Sequence, residues 1–234
     1  MYLIKKSQVS DIAKELQKEY QVYGPVVDKE TKQTMFVKAD DIAEIDLAAP
    51  IPAVPPKHTV FPHYERIMAY NYDPQAKKVD INPDFDDKPK ALFGLRSCDL
   101  NGVICLDRFF LGQEFVDEVY KNHRKKMFIV TNTCNVPFKQ CFCVCTDSGP
   151  SAREGYDLNL TDLGDQYLVE AGSDKRKALA EKLGLAKADD SYKKKKEEIV
   201  DESILKFDSI AKDNKAWVSR VVNRVTTGLI EEKT

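Results

Sequence analysis

Five of the six cysteines are spaced so that they can act together. Cys134, Cys141, Cys143 and Cys145 fall within residues 134–150, and Cys98 lies upstream in the run Leu95-Arg96-Ser97-Cys98-Asp99-Leu100. Thiolates crowded onto one loop serve few purposes. They bind a soft metal, hold an iron–sulfur cluster, or cross-link a small secreted scaffold. Cross-linking fits poorly, because six cysteines in 234 residues is far below the density of a disulfide scaffold. Cysteines two apart, such as Cys141 and Cys143, also rarely bring their sulfurs together without strain.

The remaining chemistries separate by spacing. Structural zinc sites are usually built from paired Cys-x-x-Cys knuckles. The Cys134 to Cys141 interval followed by Cys-x-Cys-x-Cys is irregular for that purpose. A four-iron cluster is more tolerant, since its iron atoms occupy separate corners and each takes one thiolate. One ligand from Cys98 and three from the 134–145 loop complete such a set, with Cys145 as a fourth loop ligand or a bystander. Phe138 and Phe142 are placed to keep water from a cluster, which would tune its potential. Arg96 precedes Cys98 and is expected either to donate hydrogen bonds to cluster sulfur or to pair with Asp99. A nucleophilic cysteine needs a base beside it, and none of the three histidines lies in this loop. Cys105, inside an apolar helical run, reads as a small buried hydrophobe.

The elements that position these residues follow from pattern. Ala91 to Leu95 and Met127 to Thr131 are compact apolar runs expected as buried strands. Between them lie an apolar helix, Leu100 to Leu111, capped by Ser97 or Asp99, and a more solvated helix, Asp117 to Lys126. Strand, helix, helix, strand is a βαβ unit, and ligands in such folds gather beyond the strand C-termini. Cys98 and Cys134 each follow one of the two strands, so both are expected at one sheet edge. Upstream, Tyr2 to Ile4 reads as a strand. Val9, Ile12, Ala13 and Leu16 mark a helix capped by Ser7 or Ser10. Val22 to Val27 and Thr34 to Val37 pair across a polar turn. Residues 48–56 hold four prolines and form an extended linker. A helix is expected from His63 to Tyr70, with His58 and His63 as surface or interface histidines, and residues 73–90 read as turn-like. Two short strands flank the Gly164-Asp165 turn. Helices follow at Lys175 to Leu183 and from about Lys193 to Val225, with apolar positions Val200, Ile204, Phe207 and Ala211. Lys193 to Lys196 is expected to be a solvated helix face. The predicted fold class is α/β: a mixed sheet with βαβ elements and flanking helices, plus a long C-terminal helical segment. Residues 1–192 form a cluster-binding domain, with 1–56 as a candidate N-terminal subdomain, and 193–234 form the helical segment.

Composition narrows the partners. Thirty-six basic residues against 38 acidic ones leave a net charge of −2, which gives no nucleic-acid footprint. No apolar run approaches the roughly 20 residues of a membrane span, so direct membrane insertion is not expected. Met1-Tyr2-Leu3-Ile4-Lys5 returns to charge at once, unlike a secretory signal. A reducing, cytoplasmic location is expected.

Several motifs spread along the chain carry a family resemblance. They are Tyr23-Gly24-Pro25-Val26, Pro56-Lys57 with Phe61-Pro62 and Glu65, residues 92–100, and Leu106-Asp107-Arg108. Asn132-Thr133-Cys134, Cys141-Phe142-Cys143, Ser148-Gly149-Pro150 and Gly155-Tyr156-Asp157-Leu158 with Thr161-Asp162 follow in order. With these, the chain resembles the iron–sulfur electron-transfer subunits that include the A subunit of anaerobic sulfite reductase and the beta subunit of NiFe sulfhydrogenases. The resemblance implies a cluster, most simply [4Fe–4S], on Cys98, Cys134, Cys141 and Cys143. Cys105 and Cys145 fall where the family more often has other residues. It also implies an electron-transfer subunit of a multi-subunit oxidoreductase of anaerobic metabolism, itself making and breaking no substrate bonds. Its partners would be a flavoprotein or other iron–sulfur subunits. Such proteins usually continue, after a tryptophan like Trp217, into a ferredoxin-like module with two Cys-x-x-Cys-x-x-Cys runs. Residues 218–234 hold no cysteine. The expectation is then a one-cluster relay or a docking subunit, with Trp217, Val218, Val221, Val222 and Val225 as an apolar face for a partner. Two alternatives stay open: an assembly subunit with structural zinc, and a thiol-active sulfur-handling enzyme using Cys145.

Overall fold

A computed structural model describes residues 1–86, 88–172 and 174–207. The apolar positions from Ala211 to Val225 lie outside the described residues. The chain opens with strand β1 (Tyr2–Lys5), a 3-10 turn and helix α1 (Ser10–Gln17). Strands β2 (Gln21–Val27) and β3 (Thr34–Lys38) form the expected antiparallel pair. The proline-rich stretch then leads to a second hairpin, β4 (Met68–Asp73) and β5 (Lys78–Pro83). The βαβ unit follows as β6 (Lys90–Arg96), α2 (Ser97–Leu111), α3 (Glu118–Lys125) and β7 (Met127–Asn132), with β6 and β7 parallel. After a long loop come β8 (Leu158–Asp162), β9 (Gln166–Ala171), α4 (Asp174–Lys182), β10 (Ala186–Lys187) and α5 (Ser191–Leu205).

The main sheet has the order β10-β1-β9-β8-β7-β6-β2-β3. Its centre, β8-β7-β6-β2, is parallel, and the flanks are antiparallel. This is the mixed α/β sheet expected. Helices cover both faces. Ile12, Ala13 and Leu16 of α1 join Ala91, Phe93, Phe128 and Val130 on one side. Leu100 and Val103 of α2 and Tyr120 of α3 join Leu92, Leu95 and Ile129 on the other. A strand covered on both faces must be apolar at successive positions, which is why β6 and β7 read as unbroken apolar runs. No helix among the described residues is long and apolar enough to cross a membrane.

One irregularity in β6 sets up everything at its C-terminal end. The pairing with β7 slips between Phe93 and Leu95, and Gly94 at the slip has φ +85°. A Cβ there would meet Leu47 Cδ2 at 2.5 Å. A bulge of this kind adds one residue and reverses the alternation of faces beyond it. Leu95 therefore joins the α2–α3 face together with Leu92. Arg96 is turned instead toward the segment after β3, where its Nη2 donates to the Ala49 carbonyl at 2.8 Å.

Several expectations need correction. The helix expected from His63 to Tyr70 does not form: residues 63–67 are irregular and 68–70 are strand, where Met68, Tyr70 and Tyr72 face one way and Ala69, Asn71 and Asp73 the other, paired in register with β5. The expected turn-like region 73–90 contains β5 and the start of β6. Its actual turn is held by Asp73, whose carboxylate accepts the N–H groups of Gln75 and Ala76. Neither Ser7 nor Ser10 caps α1; Val9 precedes the helix without a side-chain bond. α2 likewise begins directly from Arg96, with Ser97 and Asp99 inside its first turn. Asp117 does cap α3, accepting from the Tyr120 N–H at 2.8 Å. Cys105 is exposed, because the buried side of α2 is the one carrying Leu100 and Val103. Lys193 to Lys195 are solvated as expected, but Lys196 is largely covered and pairs with Glu170 at 2.6 Å. His63 is exposed, and its ring lies 4.4 Å from that of His58.

Candidate metal centre

Cys98 sits in the first turn of α2, directly beyond β6, and Cys134 lies just beyond β7. The parallel register that pairs Arg96 with Asn132 brings the two strand ends level. The loop after Cys134 folds back on itself. The Cys134 N–H donates to the Pro150 carbonyl at 3.0 Å, and the Ser148 N–H donates to the Cys143 carbonyl at 3.0 Å. These closures place Cys141 and Cys143 opposite the other two thiols. Cys98, Cys134, Cys141 and Cys143 together line one pocket of about 410 Å³, walled by Ile51, Val136, Pro137, Phe138, Phe142 and Phe207. No disulfide joins any of the cysteines.

Cys145 does not line this pocket. The stretch from Phe142 onward is turn rather than extended chain, with the Cys145 N–H donating to the Phe142 carbonyl at 2.8 Å. Cys145 is therefore buried with Val144 and Phe207, behind Cys141 and Cys143, which pack against that cluster. Phe142 is 65% exposed and forms the rim of the pocket rather than a cover over it.

Donors aim at the sulfurs. Arg96 Nη1 donates to Cys134 Sγ at 3.1 Å, and the Phe138 N–H donates to Cys141 Sγ at 3.3 Å. Arg96 thus reaches the sulfur of Cys134 and is not ion-paired with Asp99. Burial drives the Asp99 carboxyl up to about 6, against the opposing pull of Arg96. The thiols share an apolar setting. Cys98 is exposed as a residue, but protein crowding around its thiol, with Asp99 and the neighbouring thiols, pushes it up to about 12, and crowding with Cys134 and Cys141 does the same to the half-buried Cys143. Burial also raises Cys134, while Arg96 pulls it back down. Proton-bearing thiols are weak nucleophiles, and a bound metal would displace those protons.

Among the described residues, no three His, Cys, Asp or Glu side chains converge as one metal ion would require. A cluster instead takes one thiolate at each of several separate iron corners. The wall is also cut to leave room at the sulfurs. A Cβ on Gly149 would lie 2.7 Å from both Cys143 Sγ and Ser97 Oγ. Gly149 and Ser97 were not singled out from residue chemistry, although both fall within the stretches that carry the family resemblance. Ser203 of α5, whose hydroxyl donates to the Cys134 carbonyl at 2.6 Å, carried no sequence signal at all.

No family model and no solved structure matches the chain. Among curated proteins, it is similar to sulfhydrogenase 2 subunit beta of Pyrococcus furiosus, with 31% identity over 152 residues. The match covers 65% of this chain, and the chain spans about 42% of the length of that relative. By sequence comparison the chain thus resembles the beta subunit of a sulfhydrogenase.

Proposed function

We propose that this chain is the electron-transfer part of a multi-subunit cytoplasmic oxidoreductase of the hydrogenase type, holding one [4Fe–4S] cluster on Cys98, Cys134, Cys141 and Cys143. One observation carries the reading: thiols from separate chain segments line a single apolar pocket beyond two buried parallel strands, with Arg96 donating to one sulfur. A cluster bound there supplies one-electron redox chemistry. A reduced flavoprotein or ferredoxin-type subunit gives the electron, and a terminal oxidoreductase subunit accepts it.

The chain's own residues set the conditions. The half-buried Pro137 and Phe138 and the buried Phe207 limit water at the sulfurs, and Arg96 places a positive charge and N–H donors beside Cys134, which favours the thiolate and a more negative total site charge. The 208–234 segment, with the apolar positions Trp217, Val218, Val221, Val222 and Val225, is the natural candidate to meet another subunit.

Anaerobic loading with iron and sulfide tests the reading. The expected result is about four iron and four sulfide per chain, with large losses of iron in the Cys98→Ser, Cys134→Ser, Cys141→Ser and Cys143→Ser variants and near-normal iron in Cys145→Ser. Stoichiometric zinc without sulfide would overturn it. So would loss of iron in Cys145→Ser with retention in Cys98→Ser.

A further inference from the structure

Residue 134 is held by three different parts of the chain. Its N–H donates to Pro150 at the far end of the loop, and its sulfur accepts from Arg96 at the end of β6. Its carbonyl accepts from Ser203 in the last turn of α5 at 2.6 Å, and the next carbonyl, Asn135, accepts from Lys206 Nζ at 3.1 Å. Ile204 and Phe207 from the same end of α5 pack against Cys141, Cys143, Val144 and Cys145.

Ser203 has no surface exposure. A buried hydroxyl without a partner is costly, and serine near a helix end normally satisfies itself on its own helix carbonyls. Here the hydroxyl is spent on the loop across from it. Alanine would leave the Cys134 carbonyl without that donor, while α5 could keep its apolar contacts through Ile204 and Phe207.

We infer that Ser203 is a positioning residue for the metal centre: through the Cys134 carbonyl, α5 fixes the direction in which the Cys134 thiol points. The inference rests on the cluster reading for its consequence and on geometry alone for the contact. It predicts a local effect, centred on residue 134, rather than a general loosening of the fold.

The experiment pairs two readouts on the full chain. In cluster-free protein, iodoacetamide labelling is followed peptide by peptide, so that Cys143 in the same molecule is the internal control. Ser203→Ala should raise the labelling rate of Cys134 about tenfold, the factor that one lost buried hydrogen bond carries, and leave Cys143 within about twofold of the parent rate. In iron- and sulfide-loaded protein, a ferrous chelator should strip Ser203→Ala about tenfold faster than the parent. Ser203→Thr, which keeps the hydroxyl, should restore both. Lys206→Ala, at an exposed position, should shift both in the same direction by a smaller factor, and it serves where Ser203→Ala does not fold. Unchanged Cys134 labelling in Ser203→Ala, or in Lys206→Ala where the first variant does not fold, overturns the inference. Equal acceleration at Cys134 and Cys143 overturns it too. A parent protein that takes up no iron or sulfide overturns the proposed function instead, and the labelling result still decides the role of Ser203.

Discussion

β6 with β7 and β4 with β5 are both paired strands, yet they stand at opposite extremes of burial. Every residue of β7 is buried, as are Ala91 to Leu95 of β6, whereas every residue of β4 and β5 is exposed. The first pair lies between helices on both faces. The second is a two-stranded sheet of its own, tied to the body near its base. There Arg66 pairs with Asp84 at 3.0 Å, and Glu65 lies 3.0 Å from the buried His123 of α3. A lone hairpin is marginally stable in water. The contrast teaches where a site can be built. Only strands whose ends cannot drift hold thiols from distant segments in register, and both strand-end cysteines follow the buried pair.

The largest expected effect breaks the buried pair itself. Ile129 has no exposure and packs with Leu92, Leu95 and Leu100. Ile129→Ala should cost about 3–4 kcal/mol, from lost burial plus an unfilled cavity. Urea unfolding measures it, and a cost below about 1 kcal/mol would mean this face is far less tightly packed than its burial implies.

Gly94→Ala comes next. Its φ of +85° and a Cβ 2.5 Å from Leu47 add backbone strain to a clash. The expected cost is about 2–3 kcal/mol. Removing the bulge would also return Arg96 toward the α2 face, away from the Ala49 carbonyl and Cys134. Gly149→Ala should act more narrowly. Its Cβ would press on Cys143 Sγ and Ser97 Oγ at 2.7 Å, costing about 1–2 kcal/mol in stability. The expected signature is a larger fall in bound iron than in urea midpoint.

Tyr120 tests the helices that cover the buried pair. Its hydroxyl donates to Asp107 Oδ1 at 2.7 Å, and Arg124 holds the same carboxylate. Tyr120→Phe should cost about 2 kcal/mol, the range of a hydrogen bond to a charged group. Burial and Asp107 raise the Tyr120 phenol above its ordinary value. A raised folded-state value means that the unfolded chain releases this proton first. The contribution is therefore complete below about pH 10 and is lost as the pH rises further. Urea midpoints taken from about pH 9 to 11 should fall more steeply in the parent than in Tyr120→Phe.

The buried pair was legible because a strand covered on both faces leaves an unbroken apolar run, as in Met127-Phe128-Ile129-Val130. Its gathering of Cys98 and Cys134 at one edge followed from the parallel βαβ topology. The hairpin was misread for a physical reason. Phe61, Tyr64, Ile67 and Met68 are spaced like one face of a helix, while Met68, Tyr70 and Tyr72 alternate like a strand, and burial, which normally arbitrates, is absent there. Two features of the site had no reliable signal. A glycine in a strand does not announce that it reverses the faces beyond it, so the direction of Arg96 was open. The Cys-x-Cys-x-Cys spacing left Cys145 open as ligand or bystander, and only the turn after Phe142 keeps it out of the pocket that the other thiols line.

The smallest expected effect lies on the hairpin and sharpens the contrast most directly. Met68, Tyr70 and Tyr72 of β4 pair with Pro83, Ile81 and Val79 of β5, so these apolar residues share one face, and the polar Asn71, Asp73, Lys78, Asp80 and Asn82 occupy the other with Ala69. Tyr70 is 70% exposed and Ile81 62% exposed, so removing them gives up little burial. Tyr70→Thr and Ile81→Thr keep β-forming side chains and should each change stability by less than about 0.5 kcal/mol in the isolated chain. Iron content after loading should be unaffected, because no residue of the hairpin lines the thiol pocket. A loss of about 2 kcal/mol or more in either variant would mean that the face is covered in solution. Unfolding at several protein concentrations then tells which cover is present: a midpoint that rises with concentration indicates association of copies, and a constant one indicates contact within the chain.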